Sequence, residues 1–122
     1  MRKSVLVIED EPDLCEFIAI GLSKEGFIVD CAYSLAEAAE KLGRHPDVVL
    51  LDNHLPDGTG LEYIQMHPVD FMKSIVVMIS ADNSQDLQKG ASFEGIEAFL
   101  PKPFSMFRMK ETIYANIRKN EN

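Results

Sequence analysis

The sequence predicts an α/β protein, a parallel sheet covered by helices on both faces. Three observations predict it. Five short apolar runs recur along the chain, at residues 5–8, 27–31, 48–51, 75–79 and 98–100. Most of them are continuous and rich in Val, Ile and Leu, as strands buried on both faces are. Segments with helical periodicity or helix-start signals follow the runs, so strand and helix alternate five times. Five such βα units in one domain imply right-handed crossovers and a doubly wound sheet.

Each helix has its own signals. The first spans about residues 12–24, with Pro12 in its first turn and Gly26 as its stop. Leu14, Phe17, Ile18 and Leu22 are expected on its inner face. Ser34 followed by Glu37 is a capping box that starts the second helix, and Thr59 followed by Glu62 starts the third, which Pro68 must end or follow. The fourth, residues 83–92, has weak apolar periodicity and an interruption at Gly90. The fifth starts at Ser105 and carries Met109, Ile113 and Ile117 on one stripe. The second run is the least regular of the five, because Asp30 interrupts it.

A chain of 122 residues is the usual size of one domain and can build a core without disulfides or a structural metal. We expect a single domain over 1–122, with a core at about 4–119 and a polar tail or linker start at 120–122. Twenty acidic residues against twelve basic ones leave a formal charge of −8. That balance disfavours direct binding to nucleic acid or to an anionic membrane. It leaves room for a carboxylate cluster that needs a cation. The two cysteines, Cys15 and Cys31, are expected as reduced thiols in a cytoplasmic protein. No stretch reaches the roughly 20 apolar residues of a membrane span. The basic start MRK is followed by only four apolar residues after Ser4 before Glu9 and Asp10, too few for a secretory leader.

In an open parallel sheet, ligands bind beyond the carboxyl ends of the strands near the topological switch point. Glu9, Asp10 and Glu11 follow the first run, Asp52 the third, Ser80 and Ala81 the fourth, and Pro101, Lys102 and Pro103 the fifth. Acids brought together repel one another, and Mg²⁺ relieves this because it takes oxygen ligands and keeps several waters. A carboxylate is also a nucleophile toward phosphorus. An ammonium and a hydroxyl nearby neutralise and hydrogen-bond the transferring group. Taken singly, each residue has a plainer reading: first-turn acids, a turn Asp, an N-cap Ser, a loop Lys. Their common position at one end of four strands argues against that reading.

These residues resemble the receiver domains of two-component response regulators, which are CheY-like proteins. The resemblance rests on VLVIEDEP, DVVLLDNHLPDGTGLE, IVVMISA and AFLPKPF, in that order, with intervals of 42, 28 and 22 residues separating Asp10, Asp52, Ser80 and Lys102. It implies a flavodoxin-like (βα)5 fold with strand order 2-1-3-4-5. It implies Asp52 as phosphoacceptor, Asp10 as a direct Mg²⁺ ligand together with Asp52, and Glu9 acting through water. Glu stands at that position where the family more often has Asp. The residue two after the acceptor, here His54, lends its backbone carbonyl to the metal. Ser80 corresponds to the switch hydroxyl, Lys102 to the lysine that contacts the phosphoryl group, and Phe99 to the aromatic switch position. Phe99 lacks the hydroxyl of the frequent Tyr. Pro56 and Gly60 match the turn after the acceptor.

The implied function is a switch that catalyses only its own phosphorylation and dephosphorylation. The donor is a sensor histidine kinase or a histidine phosphotransfer domain, and the face made by the fourth helix, fifth strand and fifth helix controls an output partner or domain. That face is also the expected seat of a phosphorylation-dependent homodimer. His54 and Asp82 flank the acceptor and are expected to tune phosphate lifetime. Two other readings remain at this stage. A dehalogenase-like phosphohydrolase also uses an aspartyl nucleophile but wants a second acid where His54 stands, and a degenerate receiver would lack acceptor-site residues that are present here. Three scattered histidines have no zinc-ligand spacing, and the methionines read as filler.

Overall fold

A computed structural model of the chain describes residues 2–121. Five parallel strands form one sheet: β1 (Ser4–Ile8), β2 (Ile28–Ala32), β3 (Val48–Asp52), β4 (Ile75–Ser80) and β5 (Ala98–Pro101). Their order across the sheet is β2-β1-β3-β4-β5, every neighbouring pair parallel. Five helices connect or follow them: α1 (Pro12–Ser23), α2 (Leu35–Leu42), α3 (Gly60–Met66), α4 (Gln85–Phe93) and α5 (Met106–Asn120). A two-residue hairpin, His54–Leu55 against Gly58–Thr59, precedes α3, and a 3-10 turn, Pro68–Phe71, follows it. The fold is the expected flavodoxin-like one. No described helix is long and apolar enough to cross a membrane.

Side chains on a strand alternate between faces, and this splits the core into two layers. Val5, Val7, Val48, Leu50, Val77 and Ile79 point to one side, where they meet Cys15, Ile18 and Leu22 of α1 and Met109, Ile113 and Ile117 of α5. Leu6, Ile8, Val49, Leu51, Val76 and Met78 point to the other, where they meet α2, α3 and α4 through Ala38, Leu42, Ile64, Leu87 and Ala91. The three central strands therefore need apolar residues at nearly every position, which is why their runs are continuous.

Three expectations need correction. Phe17 is 48% exposed, and Cys15 takes its place in the core. The true stripe of α1 is Cys15, Ile18 and Leu22, at intervals of three and four, and Phe17 lies about 100° away from Ile18 around the helix. Second, β2 starts at Ile28 rather than Phe27. Phe27 precedes the strand, buried against the Tyr114 ring 5.8 Å away, while Ile28 is exposed on this edge strand. Third, Gly90 does not interrupt α4. The helix runs through it from the N-cap Ser84, and the missing side chain lets Leu61 approach, since a Cβ on Gly90 would lie 3.0 Å from Leu61 Cδ2. Moreover, α5 continues to Asn120, so the polar tail begins inside a helix; Asn122 lies outside the described residues.

Candidate functional site

The strand order reverses direction at β1, since β2 lies on one side of it and β3 on the other. The carboxyl ends of β1 and β3 therefore flank a crevice of the kind in which open α/β sheets bind ligands. The backbone of Glu9 continues the ladder, its N–H donating to the Ala32 carbonyl at 2.9 Å. This turns the Glu9 side chain into the crevice, where it is fully buried. Asp52, the last residue of β3, is 3% exposed, and Asp10 is exposed at the mouth. Carboxylate oxygens of Glu9, Asp10 and Asp52 all lie within 4.8 Å of one another.

Lys102 enters from the end of β5. Its Nζ lies 2.7 Å from Glu9 Oε1 and 3.4 Å from Asp52 Oδ2. The chain holds it there through its own N–H, which donates to the Ser80 carbonyl at 2.9 Å, and through flanking prolines, the Lys102–Pro103 peptide being cis. Two further backbone donors serve the acids: Glu11 N–H reaches Glu9 Oε2 at 3.0 Å and His54 N–H reaches Asp52 Oδ1 at 3.3 Å. Burial pushes the Glu9 carboxyl up to about 7, opposed by the Lys102 ammonium and the Glu11 N–H and reinforced by the charge of Asp52. For Lys102, burial pulls downward, but its 2.7 Å contact with Glu9 and the charges of Asp52 and Glu9 outweigh it and hold the ammonium above its ordinary range.

This donor set fits a hard divalent cation. Three carboxylates face one ammonium, the ligand atoms are all oxygen, and Glu9 Oε1 is buried yet meets Lys102 outside good hydrogen-bond directions. The acidic cluster can hold a metal ion.

Ser80, at the end of β4, is fully buried and accepts the Asp82 N–H at 3.1 Å. Asp82 Oδ1 in turn accepts the Ser84 N–H at 2.9 Å, and Ser84 Oγ caps α4 by accepting the Leu87 N–H at 3.2 Å. One chain of hydrogen bonds thus runs from the Ser80 hydroxyl to the start of α4. Phe99 on β5 is half-buried against the α2–α4 core layer, beside Met78 of β4. His54 is exposed on the hairpin. Among the described residues it forms no ion pair with Asp82, whose carboxylate is held below its ordinary range mainly by the Ser84 N–H, with His54 as a lesser influence.

Sequence reasoning passed over Asn53 and Asp57. Asn53 is buried; its Oδ1 accepts the Leu61 N–H and its backbone oxygen the Gly60 N–H, both at 3.0 Å, which folds the chain back over the hairpin. Gly60 must be glycine here, because a Cβ would lie 2.5 Å from the Asp52 carbonyl oxygen. Asp57 reaches across to α2, where Oδ1 accepts the Leu35 N–H at 2.9 Å and Oδ2 the Ala36 N–H at 3.0 Å. Ser34 caps only Glu37 of that helix through its side chain, so two orphan donors of the first turn needed another acceptor. That accounting question could have pointed to an acid in a distant loop.

Asp57 is held below its ordinary range, chiefly by the Leu35 N–H. A carboxylate so lowered contributes stability above its unfolded value of about 3.9, and loses it as pH falls through the lower folded value. Asp57→Ala is expected to melt about 3–5 °C below the wild type at pH 7, as for a lost cap of about 1 kcal/mol. The gap should close in acid. Melting curves that coincide at neutral pH would show that this link between the acceptor loop and α2 contributes nothing.

The family model of the response regulator receiver domain matches residues 5–114. The response regulator protein PilR of Pseudomonas aeruginosa is 35% identical over 118 residues, covering 96% of this chain and 26% of that protein. The chain thus spans about a quarter of that relative's length. Among solved structures, a CheY-like response regulator receiver domain protein of Methanospirillum hungatei superposes with a TM-score of 0.93 at 21% identity, over 99% of this chain and 98% of that one. A two-component response regulator of Clostridium difficile superposes with a TM-score of 0.92 at 22% identity, over 99% and 100%. At such identities these structures show the shared fold.

Proposed function

We propose, from the premise that this chain belongs to the response regulator receiver domain family, that it is a phosphorylation switch whose acceptor is Asp52. The observation that carries this is the meeting of Glu9, Asp10 and Asp52 within 4.8 Å, with the Lys102 ammonium 3.4 Å from Asp52. The donor is a phosphohistidine of a sensor histidine kinase or a phosphotransfer domain, reached in the cytoplasm. The Asp52 carboxylate attacks phosphorus in line, the P–N bond breaks, and the imidazole leaves with the bonding pair. Mg²⁺, when bound, neutralises charge on the phosphoryl oxygens. Asp10, Asp52 and the His54 carbonyl would hold it, Glu9 through water. Lys102 then exchanges carboxylate contacts for a phosphoryl oxygen.

The switch follows from the hydrogen-bond chain behind Ser80. A hydroxyl drawn to the phosphoryl group pulls on Asp82 and so on the start of α4, while Phe99 repacks beside it. The result is a population shift between two arrangements of α4, β5 and α5. Phe93 and Phe107, 87% and 71% exposed, lie on α4 and α5 and suit that face to an output partner or a second copy of the chain. Residues 1–122 act as one receiver unit with no substrate turnover of its own beyond phosphate gain and loss.

Mg²⁺ alone tests the site. At ten times its dissociation constant it should stabilise the chain by about 1.4 kcal/mol. Asp10→Ala should lose most of that gain, and in metal-free buffer should melt as high as the wild type or higher, since one of three repelling acids is gone. A wild-type melting curve that millimolar Mg²⁺ leaves unmoved contradicts the metal reading.

For phosphate lifetime we favour His54 as a gate that holds Asp82 over the phosphoryl group once phosphorylation frees that loop. His54→Ala should then lose phosphate faster than the wild type. An unchanged rate makes the side chain a bystander, and a slower one means that it orients the attacking water.

A further inference from the structure

Two thiols outside the acidic site face each other between α1 and β2. Cys15, on the inner side of α1, is fully buried, and Cys31, on the edge strand, is half-buried. Sixteen residues apart in sequence, they come together in space: Cys31 Sγ lies 3.9 Å from the Cys15 carbonyl oxygen. Each thiol is the largest influence on the acidity of the other, Cys15 being pushed up and Cys31 pulled down against the opposing effects of burial and the Asp30 charge, with Lys41 the least of the influences. Lys41 also donates to the Cys31 backbone oxygen. The ammonium is shared between the Cys31 backbone oxygen and the Asp30 carboxylate, 3.1 Å away, so the contact with Cys15 is what favours the Cys31 thiolate. The Cys15 thiol meanwhile donates to the Glu9 carbonyl at 3.2 Å. A buried cysteine alone is usually just a small apolar residue. This one is paired with a second thiol that solvent can reach, and it is wired to the strand end that carries the acids.

We propose that Cys15 and Cys31 form a reversible disulfide within the chain when hydrogen peroxide is the oxidant, and that the bridge weakens cation binding through Glu9. The Cys31 thiolate attacks one peroxide oxygen, the O–O bond breaks, and the departing hydroxide takes a proton to become water. The sulfur of Cys15 then attacks the resulting sulfenic sulfur. The S–O bond breaks, the Cys15 proton leaves with the oxygen, and a second water forms. Two thiols are oxidised by two electrons in all, and one peroxide is reduced to two waters. Once bridged, Cys15 has no hydrogen to give the Glu9 carbonyl. The turn from β1 into Asp10 then loses a donor that fixed it. Partial solvent access puts Cys31 first, and the burial of Cys15 makes it the resolving thiol.

The purified chain, fully reduced and then treated with hydrogen peroxide, is unfolded in denaturant so that the buried Cys15 is reachable, alkylated with iodoacetamide and weighed. The expected product is a monomer about 2 Da lighter than the reduced chain, with neither thiol alkylated, and dithiothreitol restores both. Peptide mapping should give a Cys15–Cys31 cross-link, which requires no variant. Cys31→Ser under the same treatment should keep Cys15 alkylatable. Calorimetric titration with Mg²⁺ should show binding several-fold weaker in the bridged chain, reversed by reduction and absent in treated Cys31→Ser. Cys31 driven to its sulfinic acid with Cys15 still alkylated, or a cross-link between two chains, overturns the bridge. A bridge with unchanged Mg²⁺ affinity overturns the coupling to Glu9. That second half rests on the metal reading above while the bridge does not, so the two failures are distinguishable.

Discussion

Lys102→Met is expected to melt far below the wild type in metal-free buffer at neutral pH, by roughly 3 kcal/mol or about 10 °C. The ammonium lies 2.7 Å from the fully buried Glu9 and 3.4 Å from Asp52, and its own side chain is 18% exposed. Removing one partner of a buried ion pair costs about 3–5 kcal/mol because the other charge stays behind without compensation. The lower end applies here because the Glu9 carboxyl, already pushed up to about 7 by burial, can take a proton once the ammonium is gone. Mg²⁺ should recover part of the loss, since a dication between the same carboxylates replaces the missing charge. The metal-induced rise in melting temperature should therefore be larger in Lys102→Met than in the wild type. Thermal melts of both proteins with and without millimolar Mg²⁺ check this. A variant that melts with the wild type in metal-free buffer would mean that Lys102 does not balance the acids.

The site was legible because its parts share one property visible without coordinates: each follows an apolar run. Glu9 and Asp10 after β1, Asp52 at the end of β3, Ser80 at the end of β4 and Lys102 after β5 come together wherever the parallel sheet forms. The continuous runs at residues 48–51 and 75–79 mark the central strands, buried on both faces. Strand boundaries at the edge were less legible. Ile28 is exposed and Asp30 faces Lys41 at 3.1 Å, so β2 lacks the continuous apolar signal. The exchange of Cys15 for Phe17 in the core shows the limit of hydrophobicity as a guide, for the position around the helix decides which side chain meets the sheet.

What stayed hidden was long-range hydrogen bonding. Nothing near Asp57 in the sequence says that its carboxylate caps a helix 22 residues earlier. Nothing near Asn53 says that it is buried to hold the Leu61 N–H. Such partners follow only from asking which group satisfies each buried donor. His54 and Asp82 form no ion pair among the described residues for the same kind of reason. The Asp82 carboxylate already serves the Ser84 N–H, a local turn that competes with any partner across the site.

The central claim is that Asp52 accepts a phosphoryl group with the help of a divalent cation and Lys102. Asp52 is the acid at the end of β3, held by the His54 N–H on one oxygen and by Lys102 on the other. Its position between the cation ligands and the ammonium gives the nucleophile the two positive charges that phosphoryl transfer needs. Asp52→Asn keeps the shape but has no carboxylate to attack with, so uptake should fall to nothing rather than merely slow. The most direct test is the intact mass of wild type and Asp52→Asn after incubation with acetyl phosphate, with and without Mg²⁺. Wild type with Mg²⁺ should gain one phosphoryl group of about 80 Da, and neither the metal-free wild type nor the variant should gain any. Equal phosphate on wild type and Asp52→Asn would contradict the account.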